Sequence, residues 1–146
     1  MLVEQMLSRA GERLAVVDAG ASVKDAADLM AQPATDLVIV CQDGAVVGVV
    51  TKTDIVIQIS RNPGSGLAVP VDTIMRRDVA TCRSSDPLST VLQAMKERGV
   101  HRIPVVDDKH SPVGIIYARD ALQCLLEEVE IDDELLRDFI SGVGYR

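Results

Sequence analysis

Apolar residues recur at helical spacing in two separate stretches of the chain. The first stretch contains Val23, Ala26, Ala27 and Met30, and the second contains Leu88, Val91, Leu92 and Met95. Positions i, i+3, i+4 and i+7 lie on one side of an α-helix. The pattern therefore predicts two amphipathic helices, 65 residues apart, that each bury one face.

Each predicted helix is followed by two short apolar runs of the length of a strand. The runs cover residues 36–41 and 46–50 after the first helix, and 102–107 and 112–116 after the second. Polar residues with Gly or Pro separate the members of each pair and predict a turn there. In each half of the chain we thus predict the same order of elements: a strand, a helix, a strand, a hairpin turn, a strand and a helix.

The second run of each pair belongs to an internal repeat. Residues 46–54 (Val-Val-Gly-Val-Val-Thr-Lys-Thr-Asp) match residues 112–120 (Pro-Val-Gly-Ile-Ile-Tyr-Ala-Arg-Asp) at a constant offset of 66. In both copies an apolar strand ends in a polar residue, and an aspartate follows three positions later. A repeat of this period indicates a duplicated structural unit. Because so small a unit buries little apolar surface alone, the two copies should pack together.

The segment His101-Arg102-Ile103-Pro104-Val105-Val106-Asp107, followed by the glycine-containing strand end, resembles the cystathionine-β-synthase (CBS) domain. The resemblance extends from about Leu14 to Leu126 as two tandem domains, the arrangement called a Bateman module. The first copy has Thr35-Asp36 where the second has His101-Arg102. The resemblance implies an α/β (α+β) fold, with two β-α-β-β-α units packed sheet to sheet with pseudo-twofold symmetry.

The repeat and the composition together predict four segments. Residues 1–62 form the first CBS-like domain, residues 63–70 a flexible crossover linker rich in Gly and Pro, and residues 71–126 the second domain. Residues 127–146 form an acidic amphipathic helix whose apolar face contains Leu136, Phe139, Ile140 and Val143. We expect that face to dock on its own module or on a twin subunit; a site for a different protein is the alternative.

Composition narrows the functional classes. No apolar run reaches the roughly 18 residues that span a bilayer, and the first residues lack the features of a signal peptide. We therefore expect a cytoplasmic protein that has no membrane partner. The net charge of −7 comes mainly from residues 127–146, where seven acidic residues face two basic ones. Such an acidic tail disfavours nucleic-acid binding.

Few residues offer catalytic or metal-binding chemistry. Cys41, Cys82 and Cys124 have no metal-ligand or disulfide spacing, so we expect buried thiols. Of the two histidines, His110 lies in a polar turn, and the sequence contains none of the nucleophile, zinc-hydrolase or phosphate-loop motifs. We therefore predict a binding protein that is not an enzyme and holds no metal.

Asp54 is the leading candidate for ligand binding. A carboxylate only accepts hydrogen bonds, so it suits a vicinal diol such as ribose, which donates two. The alternative is that Asp54 caps the helix that begins after Thr51. The equivalent Asp120 and the family resemblance favour ribose, and the resemblance implies that the Thr51 hydroxyl also contacts ribose or phosphate.

The resemblance also implies which residues share a cleft. The first cleft would bring Thr51 and Asp54 to face His101 and Arg102, a pair that contacts phosphate in family members that have it. Arg119 would add positive charge. The second cleft would combine Tyr117 and Asp120 with Thr35 and Asp36. We expect this second cleft to be weak, because an acid replaces a base and repels phosphate.

The leading hypothesis is a stand-alone regulatory module that binds an adenine nucleotide (AMP, ADP or ATP) and signals to a protein partner by conformational change. The alternatives are a structural dimerisation module with vestigial clefts, or a sensor of S-adenosylmethionine. An enzyme is the least favoured class. We also predict a homodimer, because apolar residues line the helices that follow the repeats: Ile55, Val56, Ile59, Leu122, Leu125, Leu126 and Val129.

Overall fold

The computed structural model describes the backbone of residues 1–144 and, beyond residue 129, only the side chains of Leu135 and Arg137. The predicted apolar face of Leu136, Phe139, Ile140 and Val143 therefore lies outside the described side chains.

The chain begins with a 3-10 helix, Val3–Met6, and helix α1, Leu7–Glu12. The first unit consists of β1 (Val16–Asp18), α2 (Val23–Met30), β2 (Leu37–Gln42), β3 (Ala45–Thr51) and α3 (Lys52–Arg61). A 3-10 turn, Val71–Thr73, leads to the second unit: α4 (Leu88–Arg98), β4 (Arg102–Val106), β5 (Pro112–Tyr117) and α5 (Ala118–Gly144).

Each unit contains one small sheet. In the first unit β1 pairs parallel with β2, and β2 pairs antiparallel with β3. In the second unit β4 pairs antiparallel with β5, and a single parallel bridge between Cys82 and Val105 takes the place of β1. The predicted mixed α/β fold is confirmed.

The helix ends show how closely local sequence determines the elements. Helix α2 begins with a capping box, in which the Ser22 hydroxyl and the Asp25 carboxylate each accept from the other residue's backbone N–H. Helix α4 ends at Gly99, whose positive φ of 66° is accessible to glycine. Helix α4 begins without a side-chain cap: Pro87 is the N-cap, and the Asp86 carboxylate accepts a hydrogen bond from Arg83 N.

Three apolar clusters hold the molecule together. One lies in the first unit and contains Val23, Val38 and Val50, and one lies in the second and contains Leu88, Ile103 and Ile116. The third lies between the two sheets and contains Leu37, Ile39, Cys41, Val46, Val49, Val106, Ile115 and Tyr117. The sheets thus face each other across an aliphatic layer, as the duplication predicts.

The cores do not follow chain order, because two segments are exchanged between the units. Residues 3–10, before the first unit, contribute Val3, Met6 and Ala10 to the core of the second unit. Residues 69–76, before the second unit, contribute Val71 to the core of the first, with Val69, Ile74 and Met75 packed against it. The proposed boundaries at 1–62, 63–70 and 71–126 describe the repeat, whereas each packed unit includes a segment from the other side of the boundary. The end of the predicted linker bonds to the first unit, where Val23 N donates to Val69 O over 2.9 Å.

Not all the apolar residues predicted for a dimer surface are exposed. Ile55 is buried in the first unit's core, and Leu125 is partly buried against the second unit's core, which corrects the sequence-based surface. Val56, Ile59, Leu122, Leu126 and Val129 remain exposed. In the described part of the chain, every helix is too short or too polar to span a bilayer.

Candidate functional site

A cleft of about 330 Å³ opens where the two units meet, which is within the size range of small-ligand sites. Thr51 comes to it from the end of β3, and His101 and Arg102 come from the start of β4. Its remaining lining residues are Leu37, Val49, Thr53, Arg76, Asp78, Val79, Ala80, Arg98, Gly99, Val100 and Pro104. The structure therefore brings together three residues predicted for the first cleft, from both units.

Asp54 lies beside this cleft and caps helix α3. Asp54 Oδ2 accepts from Thr51 N over 2.9 Å, and Thr51 Oγ1 accepts from Asp54 N over 3.3 Å. The capping role considered from the sequence is therefore present. It uses only one of the roughly four hydrogen bonds that a carboxylate accepts, so it does not exclude a ligand.

Arg76 also contacts Asp54, and sequence reasoning missed this residue. Its Nε and Nη2 each lie 3.1 Å from Asp54 Oδ1. Arg76 belongs to the exchanged segment 69–76 and lines the cleft. No motif of the sequence marks Arg76. In the structure Met75 lies against Gly48 and Ala10 against Gly114, so residues near 76 and near 10 occupy equivalent places in the two units.

Arg102 does not face the cleft as a free cation. Its Nη2 lies 3.1 Å from Asp36 Oδ2, and Lys52 Nζ lies 3.1 Å from Asp36 Oδ1. Burial favours protonated Asp36, but the hydrogen bond from Lys52 and the charge of Arg102 outweigh it and lower the pKa of Asp36. The carboxylate predicted for the second cleft thus pairs with a base of the first, although Asp36 N does donate to Tyr117 Oη over 3.0 Å.

The other predicted bases are arranged differently. His101 is exposed at the rim of the first cleft. Arg119 is exposed on α5 and is not among the residues that line either cleft, so the structure does not bring it to the site. Arg98, which the sequence did not indicate, lines the first cleft and pairs with Asp78 over 3.0 Å.

The second cleft, of about 380 Å³, is lined by Arg9, Glu12, Arg13, Ala34 and Thr35. Beside it, Asp120 is 4% exposed and bound by Arg13, with Nε 2.8 Å from Oδ2 and Nη2 3.0 Å from Oδ1. Arg9 Nη1 adds a contact of 3.4 Å. The hydrogen bond from Arg13, against the opposing effect of burial, lowers the pKa of Asp120. The guanidinium of Arg13 also stacks 4.5 Å from the centre of the Tyr117 ring.

The expected weakness of the second cleft therefore needs a different physical reason. The sequence suggested that Asp36 would repel phosphate there, but Arg9 of α1 and Arg13, the C-cap of α1, lie at this cleft and Asp36 pairs elsewhere. The two clefts differ instead in how accessible their aspartates are. The Asp120 side chain is 4% exposed and its partner Arg13 is 16% exposed, whereas Arg76, the partner of Asp54, is 59% exposed. A ligand can therefore reach Asp54 more readily than Asp120.

Thiol and metal chemistry add little to either cleft. Burial raises the pKa of Cys82 to about 12 and also raises the pKa of Cys41, so both remain protonated thiols. Within the described residues, no group of three or more His, Cys, Asp or Glu side chains is arranged to hold a metal ion.

Two α/β units that pack through their sheets, with clefts at their junction, define a tandem module of two duplicated domains. The family model of the CBS domain matches residues 4–61 and 71–127. The chain therefore belongs to the CBS-domain family, as a tandem pair.

Known proteins agree with this assignment. The chain is 33% identical over 110 residues to a homoserine O-acetyltransferase of Methanococcoides burtonii, a match that covers 75% of this chain and 22% of that enzyme. The chain thus spans about a fifth of that enzyme's length. Its fold is similar to the CBS domain pair of protein MJ0100, solved with 5′-methylthioadenosine and S-adenosyl-L-methionine (TM-score 0.74, 22% identity, covering 88% of this chain and 98% of that one). It is also similar to the CBS-domain protein ATU1752 of Agrobacterium tumefaciens (TM-score 0.74, 23% identity, covering 85% and 98%).

Proposed function

We propose that this chain is a regulatory module that binds an adenine nucleotide in the first cleft and signals its occupancy to a protein partner. The carrying observation is the cleft itself, where Thr51 and Asp54 of one unit meet His101 and Arg102 of the other. An acceptor for a ribose diol and donors for a phosphate lie on opposite units. A nucleotide that contacts both would change how the units pack, provided that it binds one arrangement more tightly than another.

The charges around the cleft support an anionic group on the ligand. Arg76, Arg98 and Arg102 line it, and Asp78 is the one carboxylate among the lining residues. Arginine suits phosphate because its planar guanidinium donates two parallel hydrogen bonds. The apolar floor of Leu37, Val49 and Val79 would accommodate the base.

One observation favours S-adenosylmethionine or a related thionucleoside as the second candidate. Asp36 compensates the charge of Arg102, and Asp78 that of Arg98, which weakens the attraction of the cleft for phosphate. The MJ0100 domain pair, which shares the fold, was solved with two such ligands. Acetyl transfer is not proposed, because the chain spans only 22% of the transferase that it matches.

Calorimetric titration with AMP, ATP, adenosine and S-adenosylmethionine tests these candidates. For an adenine nucleotide we expect Arg102→Ala to weaken AMP by about tenfold and adenosine much less, since a charge-assisted hydrogen bond to phosphate is lost. Lys109→Ala, in the turn at the opposite end of β4, removes the same charge and should change neither. Tighter binding of S-adenosylmethionine than of AMP would favour the second candidate. If none of these ligands binds at millimolar concentration, the alternative of a structural dimerisation module is favoured.

We further propose that the module is a cytoplasmic homodimer that regulates a partner in trans. Support comes from exposed apolar side chains on α3 and α5: Val56, Ile59, Leu122, Leu126 and Val129. Large apolar side chains that stay exposed on two helices are typical of an interaction site. A second copy presents the same surface, which suits a twofold contact.

A further inference from the structure

Arg76 differs from the other bases of the first cleft because it occupies the carboxylate that we assign to the ligand's ribose. Its Nε and Nη2 both lie 3.1 Å from Asp54 Oδ1. The Asp54 side chain is 10% exposed, whereas that of Arg76 is 59% exposed. The acceptor is therefore fixed and nearly covered, and the guanidinium that covers it reaches in from the solvent side.

The main chain at Arg76 is held in the fold, whereas its side chain is 59% exposed. Arg76 N donates to Val49 O over 2.9 Å, and Val49 N donates to Arg76 O over 3.0 Å. Five residues upstream, Val71 is fully buried in the core of the first unit. The long stem of Arg76 can consequently exchange partners without moving the exchanged segment 69–76.

The contacts of Asp54 show that ribose and Arg76 compete. Asp54 Oδ2 accepts a hydrogen bond from Thr51 N, and Oδ1 accepts one from Arg76 Nε, while Arg76 Nη2 lies 3.1 Å from the same Oδ1. A vicinal diol donates two hydrogen bonds, and it can direct one to each carboxylate oxygen only if Oδ1 is open. Because two guanidinium nitrogens already contact Oδ1, the diol can use both oxygens only if Arg76 moves away.

Resting on the proposed function, we infer that Arg76 is a specificity residue: it covers Asp54 in the free protein, is displaced by the ribose diol and then pairs with the ligand's phosphate. A ligand that has ribose but no anionic group breaks the Arg76–Asp54 pair without replacing it. A nucleotide breaks the same pair and supplies a phosphate in exchange, which the guanidinium can bind through two hydrogen bonds. Arg76 thereby selects nucleotides against adenosine.

Titration of adenosine and AMP into wild type, Arg76→Ala and Arg77→Ala tests this role. Arg77 is the matched control, because it is the adjacent exposed arginine and does not line the cleft. For Arg76→Ala we expect adenosine to bind about two- to fivefold more tightly, as expected from loss of a partly exposed ion pair. AMP should bind about tenfold more weakly, because a phosphate contact is lost. Arg77→Ala should leave both affinities within about twofold of wild type.

Arg76→Gln is a second variant, which keeps most of the side chain but removes its charge. As for Arg76→Ala, we expect it to bind adenosine more tightly and AMP more weakly than wild type. If wild type binds both ligands and neither Arg76 variant tightens adenosine, the inference is overturned while the proposed function stands. Equal changes in Arg77→Ala would also overturn it, since net charge would then be the cause. If wild type binds neither adenosine nor AMP, both the inferred role of Arg76 and the proposed binding of an adenine nucleotide are rejected.

Discussion

Among the described residues, Asp120 is the one charged side chain that is fully buried, and Arg13 clamps it with two donors. Asp120→Asn would keep the shape but leave Arg13 without its counter-charge. We expect the free energy of unfolding at pH 7 to fall by about 2–4 kcal/mol. Asp108→Asn, which removes a 95% exposed carboxylate, serves as the control and should have little effect.

The pH dependence of this deficit follows from the lowered pKa of Asp120. A carboxylate whose folded-state pKa lies below its unfolded value of 3.8 stabilises the protein above pH 3.8. That contribution is lost as the pH falls through the folded-state pKa. Urea unfolding should therefore show a constant deficit for Asp120→Asn from pH 7 to about 4 and a shrinking one below. A deficit of equal size at pH 3 and pH 7 would rule out the ion pair as its source.

The two repeated aspartates should differ in ligand binding. Asp54→Ala removes the proposed ribose acceptor, and we expect it to weaken AMP by about tenfold to a hundredfold. Asp120→Asn should change AMP affinity much less, because Asp120 is 4% exposed and its partner Arg13 is itself only 16% exposed, whereas Arg76 beside Asp54 is 59% exposed. Calorimetry measures both, with thermal melts to verify that Asp54→Ala, which also loses a helix cap worth about 1 kcal/mol, is folded. Equal losses in the two variants would contradict the asymmetry between the clefts.

At the scale of elements, one glycine in each repeated strand leaves room for a segment exchanged from the other unit to pack closely against the strand. A Cβ at Gly114 would lie 2.8 Å from both the carbonyl carbon and the Cβ of Ala10, and one at Gly48 would lie 2.5 Å from Met75 Sδ. The first contact is with backbone and cannot relax easily, whereas the Met75 side chain can turn aside. The glycine of the repeat motif is thus explained by close packing of α1 and residue 75 on the strands.

These contacts predict an order of stabilities. Gly114→Ala should lower the free energy of unfolding by about 1–3 kcal/mol or more through overpacking. Gly48→Ala should cost less, although Arg76 O at 3.0 Å limits the relaxation. Gly64→Ala, where a Cβ would have nothing within 4 Å, is the control and should be neutral or slightly stabilising. Chemical denaturation measures all three, and a Gly114→Ala protein as stable as wild type would contradict the packing argument.

The elements themselves were largely predictable, because their signals are local. Strand β2 was expected at 36–41 and lies at Leu37–Gln42, and the capping box of α2 follows from Ser22 and Asp25. The family resemblance also implied that Thr51 and Tyr117, at the ends of β3 and β5, lie at the clefts. The side-chain pairs were not predictable in this way, because Arg13 reaches Asp120 across 107 positions of sequence. Only the exchange of segments between the units brings such residues together.

At the scale of the whole molecule, the exposed apolar stripe on α3 and α5 predicts self-association. Val56, Leu122, Leu126 and Val129 are each more than half exposed, and they lie on the two helices that follow the repeated strands. Leaving such a stripe in water is unfavourable, at roughly 25 cal/mol for each Å² of apolar surface. A twofold contact would bury it on both copies at once.

Light scattering should therefore give wild type a mass of twice the 15.7 kDa of the chain at micromolar concentration. Leu126→Glu places a charge within the stripe, and burying that charge without a partner is costly, so this variant should be monomeric. Leu67→Glu makes the same chemical change at a 37% exposed position outside the helices and should remain dimeric. If Leu126→Glu stays dimeric while Leu67→Glu dissociates, the copies associate through a surface other than α3 and α5. A monomeric wild type would contradict the predicted homodimer.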